Sequence, residues 1–453
     1  MIGEWKQREN PLQNTPAKTL SVRFTERFTL FVDEVYGTVY DIFMGTYDQT
    51  IQKQLDETYY DPRELKYGTK AKTFLSPYDL EMLTKRKIEI LNQGNDERFV
   101  KLDLFAWNSK PLFYLTPNEF LSAQRTLLEL ASSLELSDFS KEAINHSLLY
   151  SEIEGTLSIE DVPTTRKRVI ELIQKNAKPL SRNDIIVKNM SKGIDFILSK
   201  PSFNERNLAS LYSLLSANCL DEEDKLPEGS IYRHDEVEVD HYYGCPHGKI
   251  KQCMDSLFVF VNGNLNNPKL RYVLPHIAHY YLVYVHPYFD CNGRTARMVS
   301  LWIRLLTDNF SPSFISEGIE LKKKDYYLAL ENTRDTQNDL TYFLEFIFKT
   351  SIDYALCYKN LEIITQKLKT KGIVWTENEL VYFKKILLSY KGRFTYSDFL
   401  RFSKTDMSKQ GALKILNKFT SYDLLASAGS QSKTKLFEVR KDCLAYLMSN
   451  FRQ

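Results

Sequence analysis

The sequence predicts a mainly α-helical protein, and three observations carry that expectation. Apolar residues recur at intervals of three and four, as in Ile144, Leu148, Leu149 and Ile153, or Val273, Ile277, Tyr281 and Val285. Glycine is scarce, at 17 among 453 residues. Polar/apolar alternation of the kind a half-buried strand needs is brief, as at Glu236-Val237-Glu238-Val239-Asp240. A chain of this length exceeds one ordinary core and implies about two to four domains. The formal net charge of +2 gives no global pull towards nucleic acid or anionic membrane, so such binding needs a local patch. No uninterrupted apolar run of about 18 residues occurs, and no membrane span is expected. Met1 to Ala17 is polar and lacks the apolar stretch of a signal peptide. The cysteines (Cys219, Cys245, Cys253, Cys291, Cys357 and Cys443) are scattered without a CxxC pair, which reads as reduced thiols in a cytoplasmic protein.

Residues 1–75 give no clear reading, and Phe31 to Gln54 mixes helical spacing with β-branched and aromatic residues. Helices are expected over Ser76–Leu91 and Thr116–Leu134, then over Ser140–Ile153, where Gly155 offers a C-terminal stop. Two more fall between Ser181 and Pro201 and over Asn204–Cys219. Gly229-Ser230-Ile231-Tyr232-Arg233 then leads into the alternating strand. Helical spacing resumes over Leu270–Val285, where Pro275 implies either a kink or a helix starting there, and Pro287 ends the run. The next helix is expected over Arg294–Thr307, burying Met298, Leu301, Trp302 and Leu305. In the tail, Thr376-Glu377-Asn378-Glu379 is a capping box opening a helix through Leu380, Phe383, Leu387 and Tyr390. Short helices over Ser397–Phe402 and Ser408–Thr420 follow. Leu424-Leu425-Ala426, a Gly-containing turn and Lys435-Leu436-Phe437-Glu438-Val439 then predict a two-stranded wing.

Chemistry is concentrated in His286-Pro287-Tyr288-Phe289-Asp290-Cys291-Asn292-Gly293-Arg294-Thr295-Ala296-Arg297. A turn feeding a helix N-terminus presents free backbone N–H groups and the positive end of the dipole, which suits an anion. Arg294 and Arg297 fall on one face of the first turn. Asp290 suits a divalent ion, and His286 suits proton transfer near neutral pH. These parts describe a polyphosphate site with a general base beside it.

That stretch resembles the signature of the Fic (Fic/Doc) family, HxFx(D/E)GNGRxxR. The resemblance implies a Fic-type helical bundle with a small β-hairpin flap, and transfer of AMP from ATP to a protein hydroxyl. It assigns His286 to deprotonating a Ser, Thr or Tyr, and Asp290 to the Mg²⁺ that bridges the phosphates. Backbone N–H groups from Cys291 to Gly293 would form the anion hole, with Asn292 steadying the α-phosphate. Arg294 would grip the phosphate chain and Arg297 the γ-phosphate, and Thr295 counts among the ATP-binding positions. Ile153-Glu154-Gly155-Thr156 resembles the family's inhibitory motif (S/T)xxxE(G/N), with Tyr150 at the Ser/Thr position. Carried over, Glu154 would occupy Arg297 and make the protein auto-inhibited; the plainer reading is a surface Glu at a helix end. Tyr232 to Gly244 resembles the target-binding flap, with Tyr232, Val237 and Val239 as contact residues; the plainer reading is a solvent-facing hairpin. Tyr327, in Asp325-Tyr326-Tyr327-Leu328, resembles a contact to base or ribose, although a helical Tyr is more often core.

Two departures stand out. Tyr288 replaces the signature's Phe and can fill its place if the hydroxyl finds a partner. Cys291 replaces the first Gly of GNG, and a positive φ there would cost about 1–2 kcal/mol. Either Cys291 is a tolerated small residue, or it is a reactive thiol. On the resemblance, 76–180 is an N-terminal helical region with the inhibitory helix at about 140–155, and 181–350 is the Fic core. A helical linker spans 351–370 and a winged-helix-like domain 371–453, where Lys409, Lys414 and Lys418 suit phosphates. Winged helices also dock proteins or dimerise, so a homodimer and nucleic-acid binding are both open. The expected partners are ATP and a target protein, the chain itself among the candidates, and no membrane. The alternatives are a nucleotide-sensing DNA-binding regulator with a degenerate site, or a Fic enzyme acting in reverse to remove AMP. His276 and His279 lack HExxH spacing and make a weak zinc case. No GxSxG elbow supports Ser catalysis.

Overall fold

A computed structural model describes residues 77–94, 96–116, 152–199, 201–239, 242–307, 315–389, 392–403, 405, 407–431 and 434–444. Phe31 to Gln54, the helix expected over Thr116–Leu134 and most of that over Ser140–Ile153 lie outside the described residues. The chain is mainly helical, with small antiparallel hairpins. The helices are α1 (Pro77–Gln93), α2 (Arg166–Ile173), α3 (Arg182–Leu198), α4 (Glu205–Ser216), α5 (Ile250–Asn264), α6 (Leu274–Val285), α7 (Asn292–Leu306), α8 (Ile315–Leu321), α9 (Lys323–Asp335) and α10 (Thr341–Thr370). A C-terminal group follows, with α11 (Glu377–Ser389), α12 (Tyr396–Ser403) and α13 (Lys409–Ser421). The paired strands are β1 (Phe99–Phe105) with β2 (Pro111–Leu115), β3 (Glu238–Val239) with β4 (Tyr242–Tyr243), and β5 (Leu425–Gln431) with β6 (Thr434–Val439).

Helix α6 is the centre of the larger core. Every residue in it except Val283 is buried, as expected for a helix that is apolar on all sides. Pro275 is in its first turn, so it starts the helix and does not kink it. Helix α7 packs against α6 and buries Met298, Val299, Trp302 and Ile303, while Leu301 and Leu305 are only half-buried. Trp302 donates from Nε1 to the Pro201 carbonyl at 2.9 Å and meets the rings of Phe196 and Phe203 edge-on. That anchoring fixes α7, and with it the loop that precedes α7.

Gly155 does not end its helix. Residues 152–159 are helical straight through it, and Glu160 falls in the turn that follows. Ile153, Leu157 and Ile159 are buried on this stretch. Burying three such side chains, at about 1.5–3 kcal/mol each, outweighs the roughly 1 kcal/mol that a mid-helix glycine costs. The stretch docks on α8, where Thr156 Oγ1 lies 2.9 Å from Ser316 Oγ and Glu152 accepts from the Ser316 N–H at 3.3 Å.

The β1–β2 hairpin was not anticipated, although Val100-Lys101-Leu102-Asp103-Leu104 alternates and Leu102 and Leu104 are buried. Its Leu115 N–H donates to Thr341 Oγ1 at 2.7 Å, at the start of α10. Beside it a buried ion pair joins Lys87 of α1 to Asp339 at 3.2 Å. Burial pulls the Lys87 amine down despite that partner.

Helix α10 serves two cores. Phe343, Leu344, Ile347 and Phe348 join the larger one, and Cys357, Leu361, Ile364 and Leu368 join the C-terminal one. In the latter, the Thr376 N–H donates to Glu379 Oε2 at 2.7 Å and the Glu379 N–H to Thr376 Oγ1 at 3.3 Å, a closed capping box. Three helices and the β5–β6 hairpin follow in the expected order. On α13, Lys418 is ion-paired with Glu379 and Lys409 sits over the Tyr396 ring at 5.0 Å, leaving Lys414 as the lysine of that set without a partner among the described residues.

Candidate active site

The signature loop joins the ends of α6 and α7, and two residues in the left-handed region shape it. His286 caps α6 with φ 54° and ψ 61°, its N–H donating to the Leu282 carbonyl at 2.9 Å. Cys291 precedes α7 with φ 68° and ψ 12°. The positive φ considered at Cys291 is therefore real, and its Cβ carries that strain. Its thiol is buried, and burial pushes it up to about 12, so at neutral pH it is a protonated thiol and not a nucleophile.

Tyr288 fills the core position of the loop. Its ring stacks on Tyr212 at 3.7 Å between centroids and 11° between planes. Its hydroxyl is buried with no partner among the described residues, so the ring, and not the hydroxyl, secures the loop. Asn292 is committed to the loop as well. Its Oδ1 accepts from the Tyr288 N–H at 3.0 Å and its Nδ2 donates to the Tyr288 carbonyl at 2.9 Å. Both of its amide groups are thus used on the main chain, where an α-phosphate contact was expected. Thr295 likewise donates its hydroxyl to the Cys291 carbonyl at 2.7 Å.

The candidate anion cradle is the first turn of α7, whose first intrahelical bond runs from the Thr295 N–H to the Cys291 carbonyl. Asp290 accepts from the Cys291 N–H and pairs with Arg294 at 3.2 Å. Its side chain stays 36% exposed, which leaves a carboxylate edge for a divalent ion; one carboxylate beside substrate phosphates is a donor set that Mg²⁺ accepts. Arg294 and Arg297 are both buried.

The acid paired with Arg297 is Glu160, not Glu154. Because the helix runs through Gly155, its C-terminal turn delivers the later carboxylate to the cradle. Glu160 Oε1 also lies over Gly293, where a Cβ would come within 2.5 Å of it. That closeness is a physical reason for glycine at this position. Burial would raise the Glu160 carboxyl, but Arg297, with Arg294 and Lys323 beyond it, holds it below the usual carboxylate range. Next to it, Lys323 Nζ pairs with Asp161 at 2.7 Å. A carboxylate thus sits where the helix dipole and two guanidiniums favour an anion.

Arg297 also interacts with Tyr326, whose hydroxyl is 2.9 Å from His279 Nε2. Tyr326 is buried, while Tyr327, the residue expected at the nucleotide, is 43% exposed. Burial first, and the Arg233 charge after it, push the His286 imidazole down to about 4, against the Val283 carbonyl, Asp290 and Glu160. The ring is therefore neutral at physiological pH, the form a general base requires.

The flap candidate is a hairpin of two-residue strands, Glu238 opposite Tyr243 and Val239 opposite Tyr242, shorter than the alternation suggested. Tyr232, Val237 and Val239 are half-buried, and Tyr243 is 69% exposed. The hairpin is sewn to the end of α6: Tyr242 Oη donates to the Val283 carbonyl at 3.2 Å, and the Cys245 N–H to the Val285 carbonyl at 3.2 Å.

Residues 202–303, from α4 through most of α7, match the family model described as Fic/DOC family. Among solved structures, a Fic family protein from Desulfovibrio desulfuricans G20 aligns at 18% identity over 72% of this chain and 98% of its own, with a TM-score of 0.44. Residues 134–508 of Fic-1 from C. elegans align at 20% identity over 52% of this chain and 71% of that one, with a TM-score of 0.41. A Fic domain containing signaling protein from Bacteroides thetaiotaomicron VPI-5482 aligns at 16% identity over 56% of this chain and 99% of its own, with a TM-score of 0.44.

Proposed function

Residues 202–303 of this chain are a Fic/DOC-family domain, and on that premise we propose an auto-inhibited protein adenylyltransferase whose inhibitory acid is Glu160. The observation that carries the proposal is the Glu160 carboxylate resting over Gly293 and on Arg297, in the place an anionic phosphate would take.

In this reading neutral His286 takes the proton of a target Ser, Thr or Tyr hydroxyl as its oxygen attacks the α-phosphorus of ATP. The new O–P bond forms as the bond to the pyrophosphate oxygen breaks, and pyrophosphate leaves. Asp290 would hold Mg²⁺, which neutralises phosphate charge when bound. Arg294, released from Asp290, would grip the phosphate chain, and the N–H groups at the start of α7 would face it. Arg297 would take the γ-phosphate once Glu160 withdraws. Exposed Tyr327 would meet the base or ribose, and the β3–β4 edge would pair with the target segment. The use of ATP fits a cytoplasmic setting, and self-modification belongs to the same reading.

The test is incubation with ATP and Mg²⁺ followed by intact-mass analysis. Glu160→Gly is expected to gain AMP at least about tenfold faster than wild type, since one charge-assisted contact of this kind is worth about 1.5–3 kcal/mol. Glu154→Gly should respond far less, and His286→Ala should abolish transfer. A folded Glu160→Gly protein that binds ATP without transferring AMP would favour the nucleotide-sensing regulator, the reading to which the strained Cys291 lends weight.

A further inference from the structure

The structure assigns Arg233 as the positioning residue of the reaction, a buried guanidinium that clamps both ends of the flap hairpin to the main chain of His286. The inference rests on the transferase reading for its kinetic part and on geometry alone for the rest. Arg233 is 3% exposed. Its Nε donates to the His286 carbonyl at 2.7 Å, its Nη1 to the Asp235 carbonyl at 2.5 Å, and its Nη2 to the Cys245 carbonyl. Its own N–H donates to the Pro287 carbonyl at 3.0 Å. Asp235 enters the hairpin and Cys245 leaves it, so one planar fork joins three separate segments. The nearest carboxylate, on Glu236, is 3.9 Å away and half-exposed. The guanidinium is therefore held by carbonyl oxygens, a task to which its rigid donor geometry suits it.

The consequence falls on the base. His286 is a Cβ-bearing residue in the left-handed region, a conformation that persists only where its surroundings over-determine it. The carbonyl that Arg233 holds is that of His286 itself, so the fork sets the peptide plane from which the imidazole is carried. Because the same fork holds the hairpin, a target strand paired to the flap would be registered against the base that must reach its hydroxyl. The charged groups facing His286 are Arg233, Asp290 and Glu160.

The experiment compares Arg233→Lys and Arg233→Gln in the Glu160→Gly protein. Both are expected to lower kcat for AMP transfer roughly 100-fold, the scale of an ångström-sized misplacement, while the Kd for ATP stays within about twofold. Lysine keeps the charge but cannot span three carbonyls. Full activity in Arg233→Lys, or a loss confined to ATP affinity, overturns the inference. In parallel, hydrogen exchange should quicken in peptides covering 283–290 and 242–246, with 294–303 unchanged. Unaltered exchange there overturns it too, and that arm decides even if the parent transfers no AMP, which would defeat only the transferase reading.

Discussion

At the residue scale, pH separates the groups of the site. The His286 imidazole is pushed down to about 4 from an ordinary 6.5. Between those values the unfolded chain binds the extra proton and the folded one does not, so stability falls as pH drops through that window. The same displacement keeps the imidazole unprotonated near neutral pH. In the Glu160→Gly protein, kcat/KM should stay level from pH 7 to about 5, with its acid limb at or below about 4, because Glu160 contributes to raising His286. A limb near 6.5 in a pH–rate profile would contradict the buried, neutral base. Glu160 behaves in the opposite sense to an isolated buried acid. Its carboxyl is held low by Arg297, so the contact is complete above the ordinary carboxylate range and is lost as pH falls through its lowered value. His286, Asp290, Arg294 and Arg297 were legible as a group because one loop and one helical turn carry them all. The commitments of Asn292 and Thr295 to the loop's own backbone were not, since side-chain amides and hydroxyls serve phosphate or main chain equally well.

At the element scale, the β3–β4 hairpin is hydrogen-bonded to the end of α6. Gly244 lies between them. A Cβ there would lie 2.9 Å from Arg233 Nη2, 3.1 Å from Val237 Cγ2 and 3.4 Å from His286 Cβ. Gly244→Ala is therefore expected to cost about 1–3 kcal/mol by overpacking and to slow transfer at least about tenfold, checked by denaturant midpoint and initial rate. A neutral outcome would mean that the hairpin shifts freely against the 286–291 loop. The hairpin itself was legible from Glu236 to Asp240, but its two-residue strands were not, because alternation marks a face and not how many partners pair with it. The β1–β2 hairpin is not legible in the sequence although its turn, Trp107-Asn108-Ser109-Lys110, includes Ser109 at φ 64°. Five alternating residues are a weak signal next to the helical spacing around them.

At the scale of the whole molecule, α10 couples the larger core to the C-terminal group, since it contributes buried apolar residues to both. A chain ending after Lys371 would bare Leu361, Ile364 and Leu368, all buried in the intact protein. Such a truncation should bind a hydrophobic dye and self-associate, measured by fluorescence and light scattering. A monomeric, dye-free product would show the two cores to be independent. Within this frame the order of amino acids by itself determined the helical class, the capping box at Thr376 and the grouping of candidate residues in the 286–297 loop, because each depends on neighbours a few residues apart. Which carboxylate meets Arg297 depended on where a helix ends, and burial of Ile153, Leu157 and Ile159 carried it past Gly155 to Glu160. Which groups meet the Arg233 guanidinium depended on packing that brings the Cys245 and His286 carbonyls to it beside that of neighbouring Asp235. Tertiary structure alone decided both, since burial and convergence are properties of the packed core and leave no periodic trace in the chain.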